Sequence, residues 1–289
     1  MNKNIFLLWF QGWDNAPWLQ QQVKNSWIYF NPNWNIHLID NNNLKDYVND
    51  IDYIFDKNNK IIIQTKSDII RISLLKNHGG VWADATCLCM KPLDNWIDSV
   101  LNNSDFWMYH GSGKFNNMPK TISPCIWFII TKKNSYIINK WKESSDNYWK
   151  NNNSTSTYFW LDSLFKNLFY SDTQFQKLWL KTKYINCSDY GSSSLYEEDM
   201  LDNNPKLKKI YTNSPPHVLK FSSSWNKHCK ILNEKCINSN GYHAIKTTKV
   251  NKNNCNINKV NKTNCNINKI IIIILLIIII IYFLKVSLL

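Results

Sequence analysis

One stretch of this chain concentrates residues able to do chemistry: QTKSDIIRISLLKNHGGVWADATCLCMKP, from Gln64 to Pro92. Asp68 and Arg71 stand three apart, which places them on one face of a helix. Alone, that spacing describes a local ion pair worth roughly 0.3 kcal/mol. The context adds more. The helix must stop at Gly79-Gly80, and an apolar strand then delivers Asp84 at its carboxyl end. In α/β sheets, ligands bind beyond the carboxyl ends of the strands. A carboxylate there, followed by small Ala85 and the hydroxyl of Thr86, offers oxygen ligands with room for a bulky phosphate. Hard oxygen donors in such a place suit Mg²⁺ or Mn²⁺ bridging a diphosphate.

These side chains need elements to hold them, and the pattern of residues 1–245 alternates strands and helices. Ile5–Phe10 reads as a buried strand, Pro17–Tyr29 as a helix with Pro in its first turn, Trp34–Ile39 as a strand and Leu44–Val48 as a short helix. Ser67–His78 reads as a helix capped by Ser67, with Gly79 just past its end. Its apolar stripe is Ile69, Ile72, Leu75 and Leu74. Gly80–Ala83 begins a strand, Ile126–Thr131 is a further apolar run, and Lys133–Tyr148 and Thr157–Tyr170 read as helices. Strands alternating with helices argue an α/β sheet. Beyond Ser171 the pattern weakens to a loop-rich region expected to close over the site. Asp162 lies on the Trp- and Phe-rich helix and suits acceptor positioning or general-base work; a helix-surface acid is the equal alternative. His217, after Pro215-Pro216, is a loop residue with no decisive role.

Composition narrows the function classes. At 289 residues with 44% hydrophobic and 19% charged content, the chain has globular values. The 14 Trp give flat stacking surfaces suited to sugars or nucleobases, and they also fill cores. A net charge of +13 suggests nucleic acid until its distribution is read. Lys246, Lys249, Lys252, Lys259, Lys262, Lys269 and Lys285 carry seven of those charges, which leaves +6 on residues 1–245. That is a juxtamembrane pattern, and it argues against nucleic acid as a partner. The 8 Cys show neither a disulfide framework nor zinc spacing, so free thiols in a reducing compartment are expected. Residues 246–269 form a basic Asn/Lys-rich linker, in which Lys249–Asn258 and Lys259–Asn268 are near-identical ten-residue units. Ile270–Leu284 is uninterrupted apolar sequence, and with its last residues the 270–289 segment is long enough for a membrane-spanning helix. No N-terminal signal is read in Met1–Phe10. The expected arrangement is a single-pass C-terminal anchor with the 1–245 domain on the cytosolic side.

The 66–92 stretch also resembles a known family. "KSDIIRISLLKNHGGVWADAT" is similar to the signature of capsular polysaccharide synthesis proteins, which are DXD-type sugar transferases related to the mannosyltransferase and clostridial-toxin glucosyltransferase group. The flanks agree: "FQGWDNAPWLQQQVKNSW", "NPNWNIHLID", "STYFWLDSLF", "SPPHVLKF" and "GYHAIKTTK" each resemble family pieces. The resemblance covers about residues 4–249. It implies a GT-A fold and a glycosyltransferase that moves a sugar from a nucleotide-sugar donor to a saccharide, glycan or lipid-linked acceptor, with Mn²⁺ or Mg²⁺ as cofactor. Carried over by position, Gln11, Gly12 and Trp13 would lie near the base and ribose. Asp68 and Arg71 would touch the donor's sugar or ribose, and Asp84 would act with the sugar or metal. His243 would be a metal ligand beside Asp84 and Thr86, and Lys246 would meet the phosphates. The wider group has Asp-x-Asp where this chain has Asp84-Ala85-Thr86, and a hydroxyl is a far weaker ligand than a carboxylate. A non-catalytic nucleotide-sugar or glycan binder of the same fold is the alternative.

Overall fold

Five strands form the main sheet in the computed structural model, which describes residues 1–56, 58–111, 117–155, 157–187 and 200–248. They are β1 (Asn4–Leu8), β2 (Asn35–Ile39), β3 (Gly80–Ala83), β5 (Phe106–His110) and β6 (Pro124–Thr131), in the spatial order β2-β1-β3-β6-β5. β1 pairs parallel with β2 and with β3, and β6 runs antiparallel to β3 and β5. A separate antiparallel ribbon pairs β4 (Cys87–Cys89) with β7 (Val218–Lys220). The architecture is therefore mixed α/β around a sheet that contains parallel strands.

Both faces of the sheet are covered at β1, β3, β5 and β6, which are buried almost throughout rather than alternating, while β2 at the edge is mostly half-buried. Ile5 and Leu7 of β1 point to one side, where Val23 and Trp27 of α1 (Trp18–Phe30) pack. Phe6 and Leu8 point to the other, against Ile69 and Ile72 of α2 (Ile63–His78). That second layer continues through α4 (Tyr136–Asn151) and α5 (Trp160–Ser171), and through α6 (Thr173–Leu180). The short α3 (Ile97–Leu101) joins the first layer, with α7 (Pro205–Asn213), α8 (Ser223–His228), α9 (Glu234–Asn238) and α10 (Asn240–Thr247) following β6 and α6 in the chain.

The helix that carries Asp68 and Arg71 begins at Ile63, not at Ser67, and has no side-chain cap. The Lys66 amide already donates to the Ile62 carbonyl, so Ser67 is an interior helical residue. The other end is as expected. Gly79 at φ +64 lets its amide bond back to the Leu75 carbonyl at 2.9 Å, and Gly80 at φ +114 starts β3. A Cβ on Gly79 would lie 2.5 Å from the Lys133 amide nitrogen, and one on Gly80 would lie 2.5 Å from the Asn4 carbonyl oxygen.

Among the described residues past Ser171, helices stand where loops were expected. The Asp172 carboxylate accepts from the Gln174 and Phe175 amides and caps α6, whose Phe175 and Trp179 are buried. Asn204 caps α7 in the same way, with Pro205 at the first turn. The cysteine expectation is corrected too: Cys229 and Cys236 form a disulfide across α8 and α9. Cys87, Cys89, Cys125 and Cys187 are buried thiols. Met1–Thr248 forms one compact unit. The tandem repeat and the Ile270–Leu284 run lie outside the described residues, and among the described residues no helix is long and apolar enough to cross a membrane.

Candidate functional site

Parallel β1 and β3 release their chains at the same edge of the sheet, and a cleft of about 630 Å³ opens there. Trp9, Phe10 and Gln11 follow β1 into it, and Asp84, Ala85 and Thr86 follow β3. Asp68 and Arg71 enter from α2, and Asp162 enters from α5. The fifth polar wall is Lys220, from the end of β7.

Arg71 organises the cluster. Its Nη2 donates to Asp84 Oδ1 at 2.8 Å, and its Nη1 donates to the Ile126 carbonyl at 2.8 Å and lies 3.1 Å from Asp68 Oδ1. The guanidinium sits 5.0 Å from the Trp82 ring centroid, a cation–π placement that only a planar cation exploits fully. Trp82 Nε1 donates to the same Asp84 Oδ1 at 2.9 Å. The second oxygen, Oδ2, accepts from Lys220 Nζ at 2.9 Å, and Lys220 also donates to Thr86 Oγ1.

The ribbon is what places Lys220. Cys87 faces Lys220 in its register, and the Phe221 amide donates to the Thr86 carbonyl at 2.8 Å. The turn before it is closed by the Cys87 amide on the Asp84 carbonyl, and Asp84 itself is pinned by its amide on the Trp127 carbonyl.

Charge is unevenly settled in this group. Burial alone would raise the Asp84 carboxyl, but Lys220 and Arg71 outweigh it and hold Asp84 below its ordinary value, ionised. Burial pushes Asp68 up to about 7, with Asp84 adding and Arg71 opposing. Burial also pushes Asp162 up to about 7, helped by repulsion from Asp68 and countered by Arg71. Asp162 is thus a buried member of the cluster and not a helix-surface acid. Three carboxyls face two cations, and burial makes Asp68 and Asp162 the two that hold a proton most readily. A carboxyl poised there can accept or give a proton during catalysis.

The structure brings Gln11, Asp68, Arg71, Asp84, Thr86 and Asp162 together and leaves other expected residues apart. Trp13 is buried and donates through Nε1 to the Ile39 carbonyl, tying the turn after β1 to the end of β2. Gly12, at φ +89, makes the turn that permits this. His243 bonds to the Thr212 hydroxyl and the Lys208 carbonyl on α7, and Lys246 lies over the Tyr242 ring at 4.9 Å. Neither lines the cleft. His217 stacks on Trp96 at 4.4 Å.

Lys220 and Gln20 are the residues that sequence reasoning missed. Gln20 lines the cleft at 1% exposure, with neither amide atom bonded among the described residues. A buried amide in that state calls for a ligand or water. Its neighbours in sequence give no hint of it. Lys220 sits inside "SPPHVLKF", a piece that resembles the family's late His- and Lys-bearing segments, in which the lysine itself is given no role.

The donor set does not fit a resident divalent ion. Such an ion needs several oxygen ligands. Here both Asp84 oxygens are engaged by cations or by Trp82, and Thr86 Oγ1 is engaged by Lys220. Among the described residues no cluster of three or more His, Cys, Asp or Glu is placed to hold a metal.

Comparison with known proteins adds the lineage. The chain is 24% identical over 160 residues to an O-glycosyltransferase of Annulohypoxylon truncatum, covering 51% of this chain and 38% of that protein. It is 24% identical over 158 residues to a glycosyltransferase of Aspergillus fumigatus, covering 51% and 40%. The match thus spans about two fifths of the length of these curated relatives. Among solved structures, the PaToxG glycosyltransferase superposes with a TM-score of 0.38 at 18% identity, covering 62% of this chain and 74% of the other. The model of the capsular polysaccharide synthesis proteins matches residues 1–233, and with four-fifths of its length so matched the chain belongs to that family.

Proposed function

We propose that the chain is a glycosyltransferase of GT-A type that takes a sugar from a nucleotide-sugar donor and passes it to a saccharide or other glycan acceptor. The observation that carries this reading is the Arg71–Asp84 pair at the carboxyl end of β3, facing a cleft shared with Asp68 and Asp162. Family membership and the activities named for its relatives support it.

In this reading the donor lies along the sheet edge. A neighbouring cavity of about 480 Å³ shares Phe10 and Gln11 with the cleft and adds Phe55 and Lys66. It suits the nucleoside, with Phe55 as a stacking face. The diphosphate then falls toward Arg71 and Lys220, and the sugar falls near Asp84 and Asp68. Asp162, holding its carboxyl near neutrality, accepts the acceptor's proton or orients its hydroxyl. Tyr158, 61% exposed at the rim, offers an aromatic face to a sugar acceptor. The 270–289 segment, read as a membrane anchor with the domain on the cytosolic side, would hold this site close to a membrane-bound acceptor.

The full chain incubated with a panel of UDP- and GDP-sugars should hydrolyse or transfer at least one of them. Asp84→Asn should lower turnover by about 100-fold or more, the scale for losing one preorganised electrostatic group. Circular dichroism should show the fold kept. Absence of both turnover and thermal shift with every donor would sink the reading.

A further inference from the structure

The position between Asp84 and Thr86, where an acid-x-acid motif would seat a divalent ion, is filled by this chain's own ammonium. Lys220 Nζ donates to Asp84 Oδ2 at 2.9 Å and to Thr86 Oγ1. The side chain is 19% exposed and lines the cleft, so the charge faces the ligand space and not the core. Its backbone is fixed by the β4–β7 pairing and by the Phe221 amide on the Thr86 carbonyl. The ammonium therefore cannot leave without opening the ribbon or extending away from two oxygens at once. The second acid of the motif is also missing, since Thr86 stands there. Thr86 offers no carboxylate there, and Lys220, 134 positions away, supplies a cation to its hydroxyl oxygen.

We propose that Lys220 replaces the divalent metal, holding the diphosphate of the nucleotide-sugar donor directly, so that donor binding needs no metal ion. The inference rests on the reading of the cleft as a donor site. Arg71, already committed to Asp84, Asp68 and the Ile126 carbonyl, anchors one Asp84 oxygen, while Lys220, on the other oxygen, lines the cleft and meets the phosphates there. During transfer the bond between the anomeric carbon and the diphosphate oxygen breaks, and its electron pair stays on that oxygen. The acceptor hydroxyl oxygen forms the new bond to the carbon, and its proton passes to Asp162. Lys220 keeps its own proton throughout and acts by charge and hydrogen bonding, as a charge-assisted donor to phosphate does.

The test is calorimetric titration of UDP and GDP into the full chain, once in EDTA and once in Mn²⁺. The wild-type dissociation constant for the nucleotide that binds should agree between the two within about threefold. Lys220→Met, which keeps the aliphatic stem, should weaken binding about tenfold or more in EDTA, equal to roughly 1.4 kcal/mol. Lys220→Arg should stay within about fivefold of wild type. The double variant Thr86→Asp/Lys220→Met, which restores an acid pair and removes the ammonium, should bind only when Mn²⁺ is present. Wild-type binding that appears only with Mn²⁺ overturns the proposal and leaves the donor-site reading standing. So does Lys220→Met binding as tightly as wild type in EDTA. If neither nucleotide binds under either condition, the donor-site reading falls and takes this proposal with it.

Discussion

Asp162 has a carboxyl that burial and Asp68 push up to about 7, far above the ordinary 3.8. Between those two values the native state binds more protons than the unfolded state, so stability falls as pH rises from about 4 to about 7. The strain is complete above the folded value and absent below the unfolded one. Asp162→Asn removes that ionisation and keeps the shape. Its melting temperature should exceed wild type at pH 8, and the gap should close toward pH 4. A gap independent of pH would show that Asp162 is not the buried acid described. Asp84 and Arg71 could be read from sequence because the helix, the Gly-Gly stop and the strand that carry them are contiguous. Lys220 could not, because it lies 136 residues from Asp84. Only the pairing of two three-residue strands brings it there, and such strands carry too few residues to show a periodicity.

At the scale of elements, the α2–β3 junction is the most constrained piece of backbone. Gly80 combines φ +114 with a Cβ position 2.5 Å from the Asn4 carbonyl in the adjacent strand. Gly80→Ala must adopt a strained backbone and also push β1 away, so it should cost more than about 2 kcal/mol. Chemical denaturation would read this as a lowered midpoint, and an unchanged midpoint would refute the geometry. The junction was legible because glycine pairs have few other uses. Beyond β3 lie the two antiparallel strands, β6 beside it and β5 at the sheet edge. β6 shows as an apolar run, whereas Phe-Trp-Met-Tyr-His of β5 is buried at every position and gives no alternation. The helices past Ser171 were read as loops because their caps, Asp172 and Asn204, sit among many other Asn and Asp residues.

For the whole molecule, the sequence places much of the positive charge outside the folded unit. Five lysines lie in residues 249–269, ahead of the Ile270–Leu284 run, while Lys246 belongs to the last turn of α10 and not to the linker. A basic segment next to an apolar span is drawn to anionic lipid by about 1 kcal/mol per lysine near the surface. Carbonate extraction of membranes should therefore leave the full chain in the pellet and release a chain lacking 270–289. If the shortened chain stays in the pellet, the anchor lies elsewhere. Protease protection reads the side on which the domain sits. The Cys229–Cys236 disulfide bears on that result, since such bonds persist in oxidising compartments and are rare in the cytosol.

The β4–β7 pairing has a consequence in time. At a synthesis rate of about 5–20 residues per second, the 136 residues between Asp84 and Lys220 take roughly 7–27 s to emerge. All five strands of the main sheet leave the ribosome before β7 does. The nascent sheet thus has its core sequence in hand while three carboxyls share a single cation, Arg71. Lys220 arrives together with the core residues Leu219, Phe221 and Trp225, so the cleft is completed only with the last part of the fold.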